Sequence, residues 1–394
     1  MVKQNVKFLE NSKDTEFNKK MKDIFEYFHQ RPELSYEEYD TTKELAKLLR
    51  EGDIDILDLP MKTGLVAEIK GKKGGPTIAI RTDIDALPIT EETNLTYKSK
   101  NKGKMHACGH DFHMTTILGA AYLLKRNQEK LQGNVRIIFQ PAEESSHGAE
   151  EVIKTNALDG VQAIFGLHCD SELDVGTLGI NVGPVTAAVD RFEVKVTGKG
   201  THAAHPELGT DPIVAASSII TALQSIVSRN MHPLNPAIVS VTHIESGHTW
   251  NVIPEETYFE GTVRTLNVKD RKLIPQRIKI LSKSIAEAYG AKANFSWHEG
   301  PPATNNDKDW TEMAIDVARQ DGYRVKIISP KMGGEDFAYY QKFLTGTFVN
   351  IGVGKGESVH SSKFKIDELA LEKSIRYFKN LAEHALVILD NKND

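Results

Sequence analysis

The feature that most limits the fold is a rhythm of short apolar runs and amphipathic helical stretches that stops near residue 184 and resumes after residue 300. Runs at 64–69 (GLVAEI), 77–81 (TIAIR), 135–139 (VRIIF) and 163–167 (AIFGL) contain β-branched residues and suit buried strands. Between them, helical patterns cover 17–30, 37–51 and 111–131, the last placing Met114, Ile117, Leu118, Ala121 and Leu124 on one stripe. This alternation implies an α/β domain: a mixed, mostly parallel sheet with flanking helices. From Val189 the chain turns to the two-residue alternation of a half-exposed strand (Phe192, Val194, Val196). A helix follows at Asp211-Pro212, a capping residue and then a proline. Strands at 237–243, 257–265 and 292–297, with a helix ending near Gly290, complete an inserted α+β unit over 185–299, of ferredoxin-like type. The α/β rhythm then returns with a helix at 307–321, a strand near Val325, a helix around Asp336, a strand at 347–351 and a closing helix from Ile366. The first domain is therefore expected to be discontinuous, 1–184 and 300–394.

Several function classes drop out on composition. No run approaches the roughly 18 consecutive apolar residues of a membrane span, so no membrane partner is expected. The opening MVKQNVKFLENSKDTEF lacks the apolar stretch and cleavage site of a secretory signal, which favours a cytoplasmic location. Net charge is −5 with both signs interleaved, so no basic stripe exists for nucleic acid. The two cysteines, Cys108 and Cys169, cannot build a disulfide framework and matter, if at all, as thiols.

Chemistry gathers where the apolar runs end. Asp83 follows TIAIR, Glu143 and Glu144 follow VRIIF, and His168 follows AIFGL. In open α/β sheets ligands bind outside the carboxyl ends of strands, so these groups point at one crevice. The segment HACGHDFH (106–113) immediately precedes the third helix and can lie at the same edge, near the positive end of its dipole. Cys108 and His110, two residues apart in an extended loop, face one way and could share a cation with Glu144 and His168. Of the two adjacent glutamates, one can coordinate while the other, facing the opposite way, takes a proton from water. The residues alone also leave open a thiol hydrolase with Cys108 as nucleophile and His110 or His168 as base, and a non-catalytic metal-binding protein.

The segments RTDIDALPI, MHACGHDFHMTTILGAA, FQPAEE, GLHC, GKGTHAAHP, NVIPEE, GTVR, MGGEDFA and VHSSKF occur in the order found in the dinuclear metal amidohydrolases, and the chain resembles that family over about residues 20–385. The family includes aminoacylases, hippurate hydrolases, N-acyl amino acid deacetylases and auxin-conjugate hydrolases. The resemblance implies two divalent ions (manganese or zinc, possibly cobalt) held by Cys108, His110, Glu144, His168 and His360. It makes Glu143 the general base and Asp83 a carboxylate that orients a ligand. It also makes the inserted domain a lid, with His202 as oxyanion donor, often from a neighbouring subunit, and Asn251 and Arg264 facing the substrate. A guanidinium suits a substrate carboxylate because it forms two parallel charge-assisted bonds.

The implied reaction is hydrolysis of an N-acyl amino acid to a carboxylic acid and a free amino acid, by a homodimer or higher homo-oligomer assembled through the lid. Peptidase branches of the family place a metal-binding histidine where Arg81 stands, which favours deacylation over dipeptide or carboxypeptide cleavage. Other departures are Ser362 where proline is common, Thr201 where glycine is common and Gly334 where serine is usual.

Overall fold

The structure, a computed structural model, describes residues 14–393; the N-terminal stretch read for a targeting signal lies largely outside them. Along the chain come α1 (Asp14–His29), α2 (Tyr39–Glu51), β1 (Asp55–Ile56), β2 (Leu65–Lys70), β3 (Thr77–Asp83), α3 (His110–Arg126), β4 (Asn134–Gln140), α4 (Gly148–Lys154), β5 (Val161–Asp170), β6 (Thr177–Ile180) and β7 (Gly183–Pro184). Next are β8 (Ala188–Thr197), β9 (Thr201–His202), α5 (Pro212–Ser225), β10 (Ala237–Ser246), β11 (Val252–Ile253), β12 (Glu256–Thr265), α6 (Val268–Ala288) and β13 (Lys292–Glu299). The chain closes with β14 (Asn305–Asn306), α7 (Lys308–Gln320), β15 (Arg324–Ile327), β16 (Thr345–Gly352) and α8 (Leu369–Asn393).

Two compact units result. The first comprises the chain up to Val185, Asn305–Ser329 and Asp336–Asp394. Its eight-stranded sheet runs β1-β2-β4-β3-β5-β16-β6-β15. Strands β4, β3, β5 and β16 are parallel neighbours, while β1, β2 and the β16–β6 junction are antiparallel. Every residue of β3 is buried, as a strand covered on both faces requires. Helices α3 and α8 pack against each other, and the hydroxyls of Thr116 and Ser374 meet at 2.9 Å. A side chain at Gly119 would run into Ile375, so the two backbones approach closely there.

Two differences from the pattern-based boundaries bear on the site. Strand β5 runs on to Asp170 because β16 continues the ladder beside it, Asn350 opposite His168; His168 is therefore a strand residue. Helix α3 stops at Arg126, where the Asn127 N–H closes onto Leu123 and Leu124 carbonyls and a 3₁₀ turn carries the chain to Leu131.

The second unit comprises Thr186–Thr304 with Pro330–Glu335. Its antiparallel sheet is ordered β10-β12-β8-β13, and the sequence β8-α5-β10-β12-α6-β13 makes it a split βαβ arrangement of ferredoxin-like type. Asp211 caps α5 by accepting the N–H groups of Ile213 and Val214, with Pro212 at the first helical position. Phe192, Val194 and Val196 point from β8 into this unit's own core with Ile219, Leu223, Phe259 and Ile278.

Candidate metal centre

Parallel strands β3, β4 and β5 bring Asp83, the turn after Gln140, and His168 to one edge of the large sheet. The loop before α3 reaches the same edge. Gly109 caps that helix at φ +83°, and a Cβ there would stand 2.5 Å from Cys169 Sγ, so glycine is required on both counts. Its left-handed turn lets His110 open the helix and brings Cys108 Sγ to 3.3 Å from His168 Nε2.

After β4, Ala142 turns at φ +55° into a one-turn 3₁₀ segment, Glu143–Ser145. That turn defeats the expectation that the adjacent glutamates face opposite ways. His110 Nε2 lies 4.0 Å from Glu143 Oε2 and 3.9 Å from Glu144 Oε1, so both carboxylates lie on the same side. Asp85, fully buried, holds the turn: its two oxygens accept the N–H groups of Glu143 and Glu144, each at 3.1 Å, and Ser35 donates to it at 2.6 Å. His360 arrives from the far end of the chain, its N–H bonded to Ala107 O at 2.8 Å and its Nε2 3.4 Å from Glu144 Oε1.

The hydrogen bonds select the histidine tautomers. His110 Nδ1 lies 2.9 Å from the Asp85 carbonyl and His168 Nδ1 lies 2.7 Å from the Cys169 carbonyl, so both donate there and turn their Nε2 atoms inward. His113 does the reverse of a ligand: Nε2 accepts the Cys169 N–H at 2.8 Å and Nδ1 donates to Asp83 Oδ1 at 2.7 Å. Burial pulls the His113 pKa down to about 4, consistent with that neutral form. Asp83 also takes Arg81 at 2.8 Å, and Arg81, fully buried, spans on to Asp336 at 2.6 Å and Gln140 at 2.8 Å. Asp83 thus holds His113 and Arg81, and the Asp85 carbonyl orients His110.

Burial would raise Asp83, but His110, His113 and Arg81 hold it well below the usual carboxylate range. For Glu144 burial also raises, and His360 and His110 outweigh it. Burial, with Glu144 beside it, pushes the Cys108 thiol well up. Without a cation Cys108 thus lacks the thiolate that an attacking cysteine needs, whereas a bound divalent ion would displace the thiol proton.

Two donor groups overlap on one sulfur: Cys108, His110 and His168 form one, and Cys108, Glu144 and His360 the other, with ligand atoms in each within 4.8 Å of one another. His110 Nε2 is buried with no hydrogen-bond partner among the described residues. Such an atom is costly unless something coordinates it. Imidazole, carboxylate and sulfur donors converging around it fit two divalent cations.

The other sequence candidates stand on the second unit. His202 on β9 pairs with Val252 on β11, and the Ala203 N–H bonds to Asn251 O at 3.0 Å, so GTHAA and NVIP are neighbours there. His202 Nδ1 accepts the Ala204 N–H at 3.1 Å, which leaves its Nε2 to carry the proton. Arg264 on β12 lies opposite Val189 and Ile238 and is part-buried, its guanidinium turned toward Thr262 and the Val263 carbonyl. Residue patterns missed Asp85 and His29, whereas His113, expected as a supporting residue, holds that place between Asp83 and the Cys169 N–H. Asp85 was findable as the second acid of RTDID, two positions past a strand end; His29 acts only through tertiary partners.

Residues 79–384 match peptidase family M20/M25/M40. An N-acetylcysteine deacetylase of Bacillus subtilis is 46% identical over 96% of this chain and 99% of its own length. An N-acetyl-L-cysteine deacetylase of the same organism is 48% identical over 94% of this chain and 88% of its own. The crystal structure of a dinuclear metal-binding M20 peptidase from Bacillus subtilis superposes with a TM-score of 0.87 at 43% identity, covering 95% of this chain and 99% of that one.

Proposed function

The chain belongs to peptidase family M20/M25/M40, and from that premise we propose that it is a metal-dependent amidohydrolase that cleaves N-acyl amino acids to a carboxylic acid and a free amino acid. The observation that carries the reading is the pair of donor groups joined at Cys108, with a second carboxylate, Glu143, 4.0 Å from His110 Nε2.

Cys108, His110, Glu144, His168 and His360 would hold the ions, and the mixed N, O and S set suits manganese or zinc, with cobalt a further candidate. When bound, two divalent ions supply Lewis acidity, polarising the acyl carbonyl and lowering the pKa of water toward neutrality. Glu143 takes the proton of the attacking water and returns it to the leaving nitrogen. Asp85 keeps Glu143 in place by accepting its backbone N–H. In this reading His202 donates its Nε2 proton to the developing oxyanion; its support is the tautomer set by Ala204. Asn251 and Arg264 are assigned to the substrate's amino-acid end, where a guanidinium matches a carboxylate.

Assembly through the second unit is part of the proposal. Strand β10 forms an edge of its sheet and exposes Ile238 and Ile244, and α5 exposes Ile213 and Val214. An apolar open edge beside an apolar helix is a template for a second copy. A cytoplasmic setting fits two buried free cysteines, one of them a ligand only as thiolate.

The test is enzyme stripped by chelator, reloaded separately with manganese, zinc and cobalt, and assayed on acetyl and benzoyl amino acids. Free amino acid released only after reloading is expected. Chelator-resistant turnover abolished by thiol alkylation would transfer the reaction to Cys108 as nucleophile.

A further inference from the structure

His360 is the most exposed donor of the centre. Its side chain is half exposed, and its backbone adopts φ +68°, a left-handed conformation that residues other than glycine hold only when their surroundings impose it. One support is the bond from His360 N–H to Ala107 O, just before Cys108. The other lies two residues on. Glu92 N–H donates to Ser362 O at 2.8 Å, and Ser362 Oγ–H donates back to Glu92 Oε2 at 2.8 Å, a reciprocal pair between segments 270 residues apart.

The Glu92 loop is itself fixed from below. Glu91 is half-buried with its side chain enclosed, and it accepts the Ser99 N–H at 2.6 Å and the Thr93 hydroxyl. Its other contact is His29 Nε2 at 3.3 Å, and His29 Nδ1 reaches Asp111 Oδ2 at 2.6 Å. Asp111 follows His110 directly. A continuous strut therefore runs from the residue after one ligand, through His29 and Glu91, to Glu92, Ser362 and the other ligand. Phe364, buried, pins the segment beyond it.

We propose that Glu92 and Ser362 form a clasp that positions His360, and so sets the affinity for the cation bound by Cys108, Glu144 and His360. The inference rests on the metal reading above. Neither residue touches an ion; each acts through the backbone of the 360–362 turn. Partners that orient ligands typically govern metal affinity by about 10- to 100-fold.

The test is titration of metal-free protein with manganese(II), free ion being counted from its electron paramagnetic resonance signal. Wild type is expected to take up two equivalents. Ser362→Ala and Glu92→Ala are each expected to weaken one equivalent about tenfold and leave the other unchanged. The double variant should be no weaker than either single one, because both remove the same bond. Ser362→Thr, which keeps the hydroxyl, should restore wild-type binding, and the melting temperature of the metal-free variants should match wild type. Two equivalents bound at wild-type affinity by both alanine variants would overturn the clasp while leaving the metal centre intact. So would a matching loss of melting temperature in the metal-free protein, the mark of an ordinary loop anchor. Wild type that takes up no cation would overturn the metal reading, and the clasp with it.

Discussion

Asp85→Asn separates the turn that presents the glutamates from the ligands themselves. In the wild-type protein Oδ1 accepts the Glu143 N–H while Oδ2 accepts the Glu144 N–H and the Ser35 hydroxyl. An asparagine has one acceptor oxygen. Turned toward Glu144 and Ser35, it satisfies those two and sets its NH₂ against the Glu143 N–H and against His110 Nδ1, which lies 3.3 Å from Oδ1 in wild type. Losing a hydrogen bond to a charged group removes about 1.5–3 kcal/mol, and stranding a buried donor costs about 1–3 kcal/mol. Since these overlap, the expected loss is about 2–4 kcal/mol, read by urea unfolding of the metal-free protein. Glu144 keeps its support and His110 keeps its bond to the Asp85 backbone carbonyl, so both cations should remain. Glu143 loses its own, and a displacement on the order of 1 Å should lower kcat by about 10²-fold. A variant whose unfolding free energy stays within about 0.5 kcal/mol of wild type, with kcat unchanged, would refute the role given to Asp85.

Two further outcomes are expected. Glu143→Gln should keep both cations while kcat falls by about 10²–10⁴-fold; metal analysis showing a lost equivalent would make Glu143 a ligand instead. His29 sits between Asp111 and Glu91, and although burial pulls its pKa down, the two carboxylates raise it from 6.5 to about 10. The folded protein thus keeps a proton that the unfolded chain gives up, so this stabilisation is complete below pH 6.5 and is lost as pH rises through about 10. The melting temperature of metal-free wild type should fall more steeply between pH 7 and pH 10 than that of His29→Gln, and parallel profiles would contradict the assignment.

What could be seen in the chain before its structure follows a physical division. Strands β2 to β5 were legible because buried strands need unbroken apolar runs, and α5 because Asp211-Pro212 is a local start signal. The convergence of Glu143, Glu144 and His168 followed from the rule that ligands gather at strand ends. His360 was not legible from pattern, since it stands in a polar loop and meets Glu144 only by long-range folding; family resemblance alone supplied it. The direction of the two glutamates has no signal in spacing, and the 3₁₀ turn brings both carboxylates to one side rather than opposite ways. The grouping of Pro330–Glu335 with the second unit had no periodic signal at all. Gly334 stands where serine is usual in the family, and a Cβ there would lie 2.4 Å from Val189 Cγ2, which explains that departure.

Anomalous scattering from crystals grown with manganese, recorded near its absorption edge, measures the centre without reference to any substrate. Two peaks are expected, both within bonding distance of Cys108 Sγ, one shared with His110 and His168 and the other with Glu144 and His360. A single peak, or a second peak out of reach of Cys108 and His360, would contradict a dinuclear centre built on that shared sulfur.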